Sequence, residues 1–326
     1  MRDEIFARAA RQREYVPAIG KITRPEPLVS VTLVTYNHAQ FIAQSIESVL
    51  AQQTTFPVEI VLGEDASADG TRTVCRHYAE TYPDRIRLFL RDRAESTVTV
   101  NGRDRILNGH FTRLAAQGRY IAPLEGDDYW VDPLKLQKQV DALEADRTLA
   151  ACFTNADVIT EGKPNGRQRH YPSDVPIKTL EAGPLTSDVT DAGELIMQRR
   201  ILIMTWLLKR TILQRAPDWF YDIPYTDRAM AVLAAERGGV RYLPDVTAVY
   251  RRHPGGIWTG FNDVAAKSEI SVDIFQRINQ HFGLRHDLPI RTSIARVYLA
   301  AASHYSKRGE AERANQFAEK GCALLA

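Results

Sequence analysis

Three acidic side chains, Glu125, Asp127 and Asp128, fall within four residues of the stretch YIAPLEGDDYWVDPLKL at 120–136. Carboxylates packed this closely repel one another unless a positive charge sits among them. Hard divalent cations take oxygen ligands, and Mg²⁺ is typically held by one or two carboxylates together with substrate phosphates. The pattern therefore predicts Mn²⁺ or Mg²⁺ clamping a diphosphate, with Gly126 letting the backbone come close to the ligand. The plainer account is a turn and a cap, with Asp128 or Asp132 at the head of a helix over 133–146.

Two more polar clusters share that setting. Tyr36-Asn37 and Glu64-Asp65 each end an apolar run, as Glu125 does. In GEDASADGT, Asp69 reads as a turn or cap residue. That leaves Asp65 unexplained, and a carboxylate there could accept the N3–H of a pyrimidine base. No G-x-G-x-x-G follows the first run and no G-x-x-x-x-G-K-[ST] occurs, so Gly-rich phosphate cradles are not the device used.

The elements that must carry these residues alternate. LVSVTLVTY (28–36), VEIVLGED (58–65), RIRLFLRD (85–92), RYIAPLEG (119–126) and LAACFTNADVI (149–159) read as strands, the first as one covered on both faces. Helices are expected after Asn37, which would cap with Gln40 as its partner, after SADGT, over 103–117 and over 133–146. Alternation of this kind predicts a mainly parallel α/β sheet. In open sheets of that class, ligands bind beyond the carboxyl ends of the strands. All three polar clusters fall there.

Residues 1–20 read as a short amphipathic helix, and Pro25 and Pro27 as a linker. The stretch 160–190 is rich in Gly, Pro, Ser, Thr and Asp and reads as a long loop over a site. Helix and strand return at 191–215, a helix follows near 226–237, and VRYLPDVTAVY (240–250) is a strand. After 262 the pattern is helical. One apolar stripe runs through Ile294, Val297, Tyr298, Ala301 and Tyr305, and another through Phe317, Ala318, Cys322 and Leu325. They flank a KRG turn, like one tetratricopeptide hairpin. The expected units are 1–27, a helix and linker; 28–262, split at 159/160 into a nucleotide half and an acceptor half; and 263–326, a helical appendage.

The chain has 326 residues, a formal net charge of +2 and three widely spaced cysteines, Cys75, Cys152 and Cys322. The charge gives no reason to expect nucleic acid as a partner. The cysteines fit neither a disulfide framework nor a zinc site. ILIMTWLL (201–208) is too short to span a bilayer. The expectation is a cytoplasmic protein, at most peripheral at the inner face of the membrane.

VSVTLVTYNHAQFIAQSIESVL, VEIVLGEDASADGT and RYIAPLEGDDYWVDPLKLQKQVD, in that order, resemble the successive motifs of glycosyltransferase family 2. YTDRAMAVLAAERGGVRYLPDVTAVYRRHPGGIWT resembles the family's acceptor side. The resemblance implies the GT-A nucleotide-sugar fold, inverting transfer from a nucleoside diphosphate sugar such as a UDP-sugar, and Mn²⁺ or Mg²⁺. By position it places Thr35, Tyr36 and Asn37 along the base and ribose, and Asp65 on the base. Glu125-Gly126-Asp127 matches the D-x-D motif, with Glu in place of the usual first Asp, which points to a ribose contact for Glu125. Asp127 is the preferred metal ligand and Asp128 the second. Asp227 falls where the family has its catalytic base, with Asp222 as rival. Arg251, Arg252 and His253 match a cluster that neutralises the departing diphosphate. Trp258 in PGGIWTG matches a loop residue that stacks on a sugar.

The implied partners are a nucleotide-sugar donor and a hydroxyl of a glycan, lipid-linked or protein acceptor. Apolar surface left over on the C-terminal hairpin predicts a homodimer. Two rivals remain. A sugar-1-phosphate nucleotidyltransferase would carry a Gly-rich activating loop, but residues 28–40 hold no glycine. A non-catalytic scaffold acting through its C-terminal helices has no need of the full set of acids.

Overall fold

In the computed structural model, residues 1–18, 22–100, 103–161, 167–169, 189–197, 202–256 and 263–325 are described. The chain opens with α1 (Arg2–Arg11), then alternates β1 (Val29–Thr35), α2 (Ile42–Leu50), β2 (Val58–Glu64), α3 (Thr71–Thr81) and β3 (Ile86–Leu90). A hairpin of β4 (Thr97–Val100) and β5 (Arg103–Ile106) leads to α4 (Asn108–Ala115), β6 (Tyr120–Glu125), β7 (Tyr129–Trp130), α5 (Lys135–Ala145) and β8 (Ala151–Thr160). The second half runs through β9 (Arg167–Arg169), β10 (Val189–Thr190), α6 (Ala192–Met197), β11 (Trp206–Lys209), α7 (Arg210–Gln214), α8 (Asp227–Glu236) and β12 (Val240–Arg252). Helices α9 (Val264–His281), α10 (Asp287–Lys307) and α11 (Ala311–Ala323) close it.

The main sheet has the order β10-β12-β8-β11-β6-β1-β2-β3. β1 is parallel to β2 and β6, β2 to β3, and β12 to β8, whereas β11 runs antiparallel between β6 and β8. Both faces are covered, which is why β1 reads as an unbroken run: Val29, Val31 and Leu33 are fully buried, and so is Ser30 among them. On one face Ile42, Ile46, Cys75, Leu136 and Val140 of α2, α3 and α5 pack on Leu33, Ile60 and Leu62. On the other, Ile5 of α1 and Phe111 of α4 join Val61 and Ile121 in a core that continues into Met230 of α8 and Ile278, Ile290 and Ile294 of α9 and α10.

The structure departs from expectation in several places. A helix expected over 103–117 begins only at Asn108, because Arg103–Ile106 pairs with the alternating, β-branched Thr97–Val100. Asn37 caps no helix: α2 begins at Ile42 after Phe41, with no side-chain cap. Asn37 instead adopts a left-handed φ of 52° and accepts the Ala68 N–H at 3.0 Å, while its own N–H donates to Ser67 Oγ at 2.9 Å. Its small polar side chain tolerates that conformation and ties the turn after β1 to the turn after β2. Third, β12 shifts register between Tyr242 and Val246, around Pro244, which cannot donate to the ladder.

Of the loop expected over 160–190, residues 167–169 and 189–190 are strands instead, drawn into the sheet by pairing with β8 and β12, and most of the rest lies outside the described residues. The C-terminal hairpin forms as expected. Gly309 takes a φ of 78° at the turn, and the Tyr305 ring stacks on Phe317 with centroids 5.5 Å apart.

Candidate functional site

β6 delivers its acids to the carboxyl edge beside β1. Glu125 is in register with Val34, and the Gly126 N–H donates to the Val34 carbonyl at 2.8 Å. A Cβ at Gly126 would come within 2.6 Å of Thr35 Oγ1 and 3.1 Å of His38 Nδ1, so this crossing admits only glycine. The Asp128 N–H then donates to the Glu125 carbonyl at 3.0 Å, which closes a tight turn.

β12 reaches the same turn from the other side. The buried Asp128 accepts the Arg251 N–H on Oδ1 at 2.8 Å. The Arg251 guanidinium donates to the Asp127 carbonyl (3.1 Å), Gln44 (2.7 Å) and Glu161 (3.3 Å), and it lies over the Phe41 ring at 4.5 Å. Arg251 therefore braces the acidic turn. His253 Nε2 lies 3.0 Å from Asp127 Oδ2, with His38 Nε2 3.8 Å from the same oxygen. Among the described residues two sets of three place one ligand atom each within 4.8 Å of one another: Glu125, Asp127 and Asp128, and His38, Asp127 and His253. Asp127 belongs to both.

The charges in this cluster are unevenly distributed. Burial, reinforced by Asp127 and Asp227, pushes the Glu125 pKa well above the carboxylate range. Burial, with Asp127 and Glu125, does the same to Asp128, against the pull of the Arg251 N–H. Burial also raises Asp127, but the hydrogen bond from His253 and the charge of His38 outweigh it, and its pKa falls. Burial depresses His38 despite Asp127. Asp128 Oδ2, His38 Nδ1 and Thr35 Oγ1 are buried without a hydrogen-bond partner among the described residues. Buried polar atoms are ordinarily bonded. Carboxylates short of positive charge, with one oxygen left over, fit a hard divalent cation.

The second cluster forms at the end of β2. Asp65 is 1% exposed, and its N–H donates to the Thr35 carbonyl at 3.1 Å. Its carboxylate accepts Arg93 Nη1 and Ser96 Oγ, each at 2.5 Å. Burial raises the Asp65 pKa, with Ser96 and Arg93 opposing. The Arg93 guanidinium sits 3.9 Å from the Tyr36 ring centroid. The sequence pattern does not mark Arg93 and Ser96. Their only signal is a place in the loop after β3, at the same sheet edge.

Asp227 opens α8, and its charge helps to raise the Glu125 pKa. Burial lifts its pKa to about 6 against the opposing charges of Arg113 and Arg228. Arg113, on α4, is a further residue that the sequence pattern does not mark. Asp222 faces Arg277 of α9 at 3.8 Å instead. Arg252 is half-buried next to Arg251. Trp258 lies outside the described residues.

A mostly parallel sheet with acids gathered at its carboxyl edge and helices on both faces is the GT-A arrangement of nucleotide-sugar glycosyltransferases. The chain belongs to glycosyl transferase family 2, whose family model matches residues 30–205. It is 34% identical over 240 residues to the uncharacterized protein Mb1547 of Mycobacterium bovis, an alignment covering 71% of this chain and 60% of that protein. The chain thus spans less than two thirds of that relative's length. Among solved structures it resembles the mannosyltransferase PcManGT from Pyrobaculum calidifontis in complex with GDP-Man and Mn²⁺. That likeness has a TM-score of 0.55 at 18% identity and covers 99% of this chain and 93% of that one. It also resembles S. aureus TarS 1–349 in complex with UDP-GlcNAc, with a TM-score of 0.55 at 15% identity, covering 89% and 90%. These likenesses show the fold. No described helix is long and apolar enough to cross a membrane.

Proposed function

We propose that the protein is an inverting glycosyltransferase that moves a sugar from a nucleoside diphosphate donor, a UDP-sugar, to a hydroxyl of a glycan, lipid-linked or protein acceptor. The observation that carries this reading is the gathering of Glu125, Asp127 and Asp128 in one turn at the carboxyl edge of the sheet, with the charge of Asp227 acting on Glu125. Asp227 takes the proton from the acceptor hydroxyl as it attacks the anomeric carbon. Asp65 and Tyr36 bind the base, and Glu125 contacts the ribose. Asp127 and His253, with His38 and Asp128 next to them, would hold Mn²⁺ or Mg²⁺. When bound, that ion offsets the negative charge of the departing diphosphate. Arg251 keeps the acidic turn in place from behind. A cytoplasmic setting, peripheral at a membrane, and a homodimer through the C-terminal helices belong to the same proposal. The exposed Leu288 and Leu325 supply apolar surface for the latter.

Thermal unfolding with UDP and Mn²⁺ tests the site. At about 100 times its dissociation constant UDP should add roughly 2.7 kcal/mol of stability. Asp127→Ala should abolish that gain while the protein without ligand stays folded. Equal stabilisation in excess EDTA would sink the metal clamp, and a greater gain from GDP than from UDP would change the donor.

A further inference from the structure

Helix α1 precedes the stretch that the family model matches, yet it is fastened to the nucleotide half. Ile5 is fully buried and anchors the helix in the core. Arg8 Nη1 donates to the carbonyls of Thr97 at 3.0 Å, Glu95 at 3.2 Å and Ala94 at 3.5 Å. Its Nη2 is steadied by Glu4 at 2.8 Å, one turn earlier on the helix. Arg11 pairs with Glu95 at 3.2 Å, and Gln12 accepts Arg91 Nη1 at 3.0 Å. Beyond the helix, the Tyr15 N–H donates to the Leu88 carbonyl of β3 at 2.7 Å.

The segment gripped in this way, 91–97, carries Arg93 and Ser96, and both of these bond to Asp65. The carbonyls of Glu95 and Thr97 flank Ser96 directly. Three acceptors converging on one guanidinium nitrogen fix the curvature of the backbone around that serine. Hydrogen bonds from a charged donor are roughly twice as strong as neutral ones. Without them the turn would depend on its internal bonds, Ser96 N–H to the Asp92 carbonyl at 2.9 Å and Ala94 N–H to Asp92 Oδ1 at 2.9 Å, and on the Leu107 N–H that the Ser96 carbonyl accepts at 2.7 Å.

We propose that Arg8 is a positioning residue for the nucleotide base: by holding the backbone of 94–97 it keeps Ser96 and Arg93 on Asp65 and Tyr36. The inference rests on the reading of Asp65 as the base-binding carboxylate. It predicts an effect confined to the base. The acidic turn that faces the diphosphate is built by β6 and β12, which α1 does not hold.

Calorimetric binding of UDP and of inorganic pyrophosphate, each with Mn²⁺ and full-length protein, tests this. Arg8→Ala should raise the UDP Kd about tenfold, which is about 1.4 kcal/mol. Pyrophosphate binding should not change, and donor KM should rise with kcat preserved. Arg8→Lys should restore most of the affinity, because the three carbonyls converge on one nitrogen position and an ammonium there has three N–H groups to donate. Ser96→Ala should also weaken UDP, and the double variant should be no worse than the poorer single one, since both act on one contact. If Arg8→Ala does not fold, Arg8→Gln, which keeps one donor, should show the same split between UDP and pyrophosphate. Equal loss of both ligands, or unchanged UDP affinity while Asp65→Ala weakens it, overturns the role of Arg8. Unchanged UDP affinity in Asp65→Ala overturns the base-site reading beneath it.

Discussion

Asp227 shows what a single residue's surroundings can do. Burial raises its carboxyl to about 6, while Arg113 and Arg228 keep it from rising further. A base must be ionised to accept a proton, so turnover should climb as pH passes upward through about 6. Asp227→Asn should cost about 10²–10⁴ in turnover with donor binding little altered, and its residual activity should lose that pH step. Asp222→Asn should leave both in place, because Asp222 is turned toward Arg277; the opposite result would move the base to Asp222. The positions of the acids can be read in the sequence because each ends a strand or starts a helix, and that placement follows from local patterning. Arg93, Ser96 and Arg113 cannot be read this way. They are ordinary polar residues in a loop and a helix, and only tertiary packing brings them against Asp65 and Asp227.

At the scale of elements, α4 is seated on β2 by one glycine. A Cβ on Gly63 would fall 2.2 Å from Asn108 Oδ1 and 2.4 Å from Thr112 Oγ1. Asn108 also donates to the Gly63 carbonyl at 2.8 Å. The helix cannot shift without breaking that bond, so Gly63→Ala should destabilise by roughly 1–3 kcal/mol, as overpacking does. Urea unfolding should show a lower midpoint at unchanged slope, and an unchanged midpoint would mean that the helix gives way freely. The strands β1, β2, β3, β6 and β8 are legible because burial on both faces leaves largely unbroken apolar runs. The β4–β5 hairpin is not, since Arg103–Ile106 reads as the polar start of the helix behind it and its strand character comes from its partner. Asn37 reads as a cap for a related reason: the same side chain that caps helices also tolerates a left-handed turn.

In the molecule as a whole, the C-terminal helices share a core with α6 and α8. Ile278, Ile290 and Ile294 cluster with Met230 and Leu195, and Glu236 at the end of α8 bonds Arg285 at 2.9 Å and His286 at 2.6 Å. A chain ended after residue 263 would expose that face of α8. It should be insoluble or unfold far below the full-length protein in a thermal melt. A soluble truncated protein that still binds UDP would instead make the helices a separable appendage. The strand β11 has a further consequence, for the order in which the sheet can form. It lies between β6 and β8 although both precede it in the chain. While the ribosome extends the chain from Glu125 to Trp206, the inner edge of β6 has no partner, an interval on the order of ten seconds at about 5–20 residues per second. Through that interval the nascent chain presents an apolar strand edge of the kind that chaperones cover and that other chains can pair with.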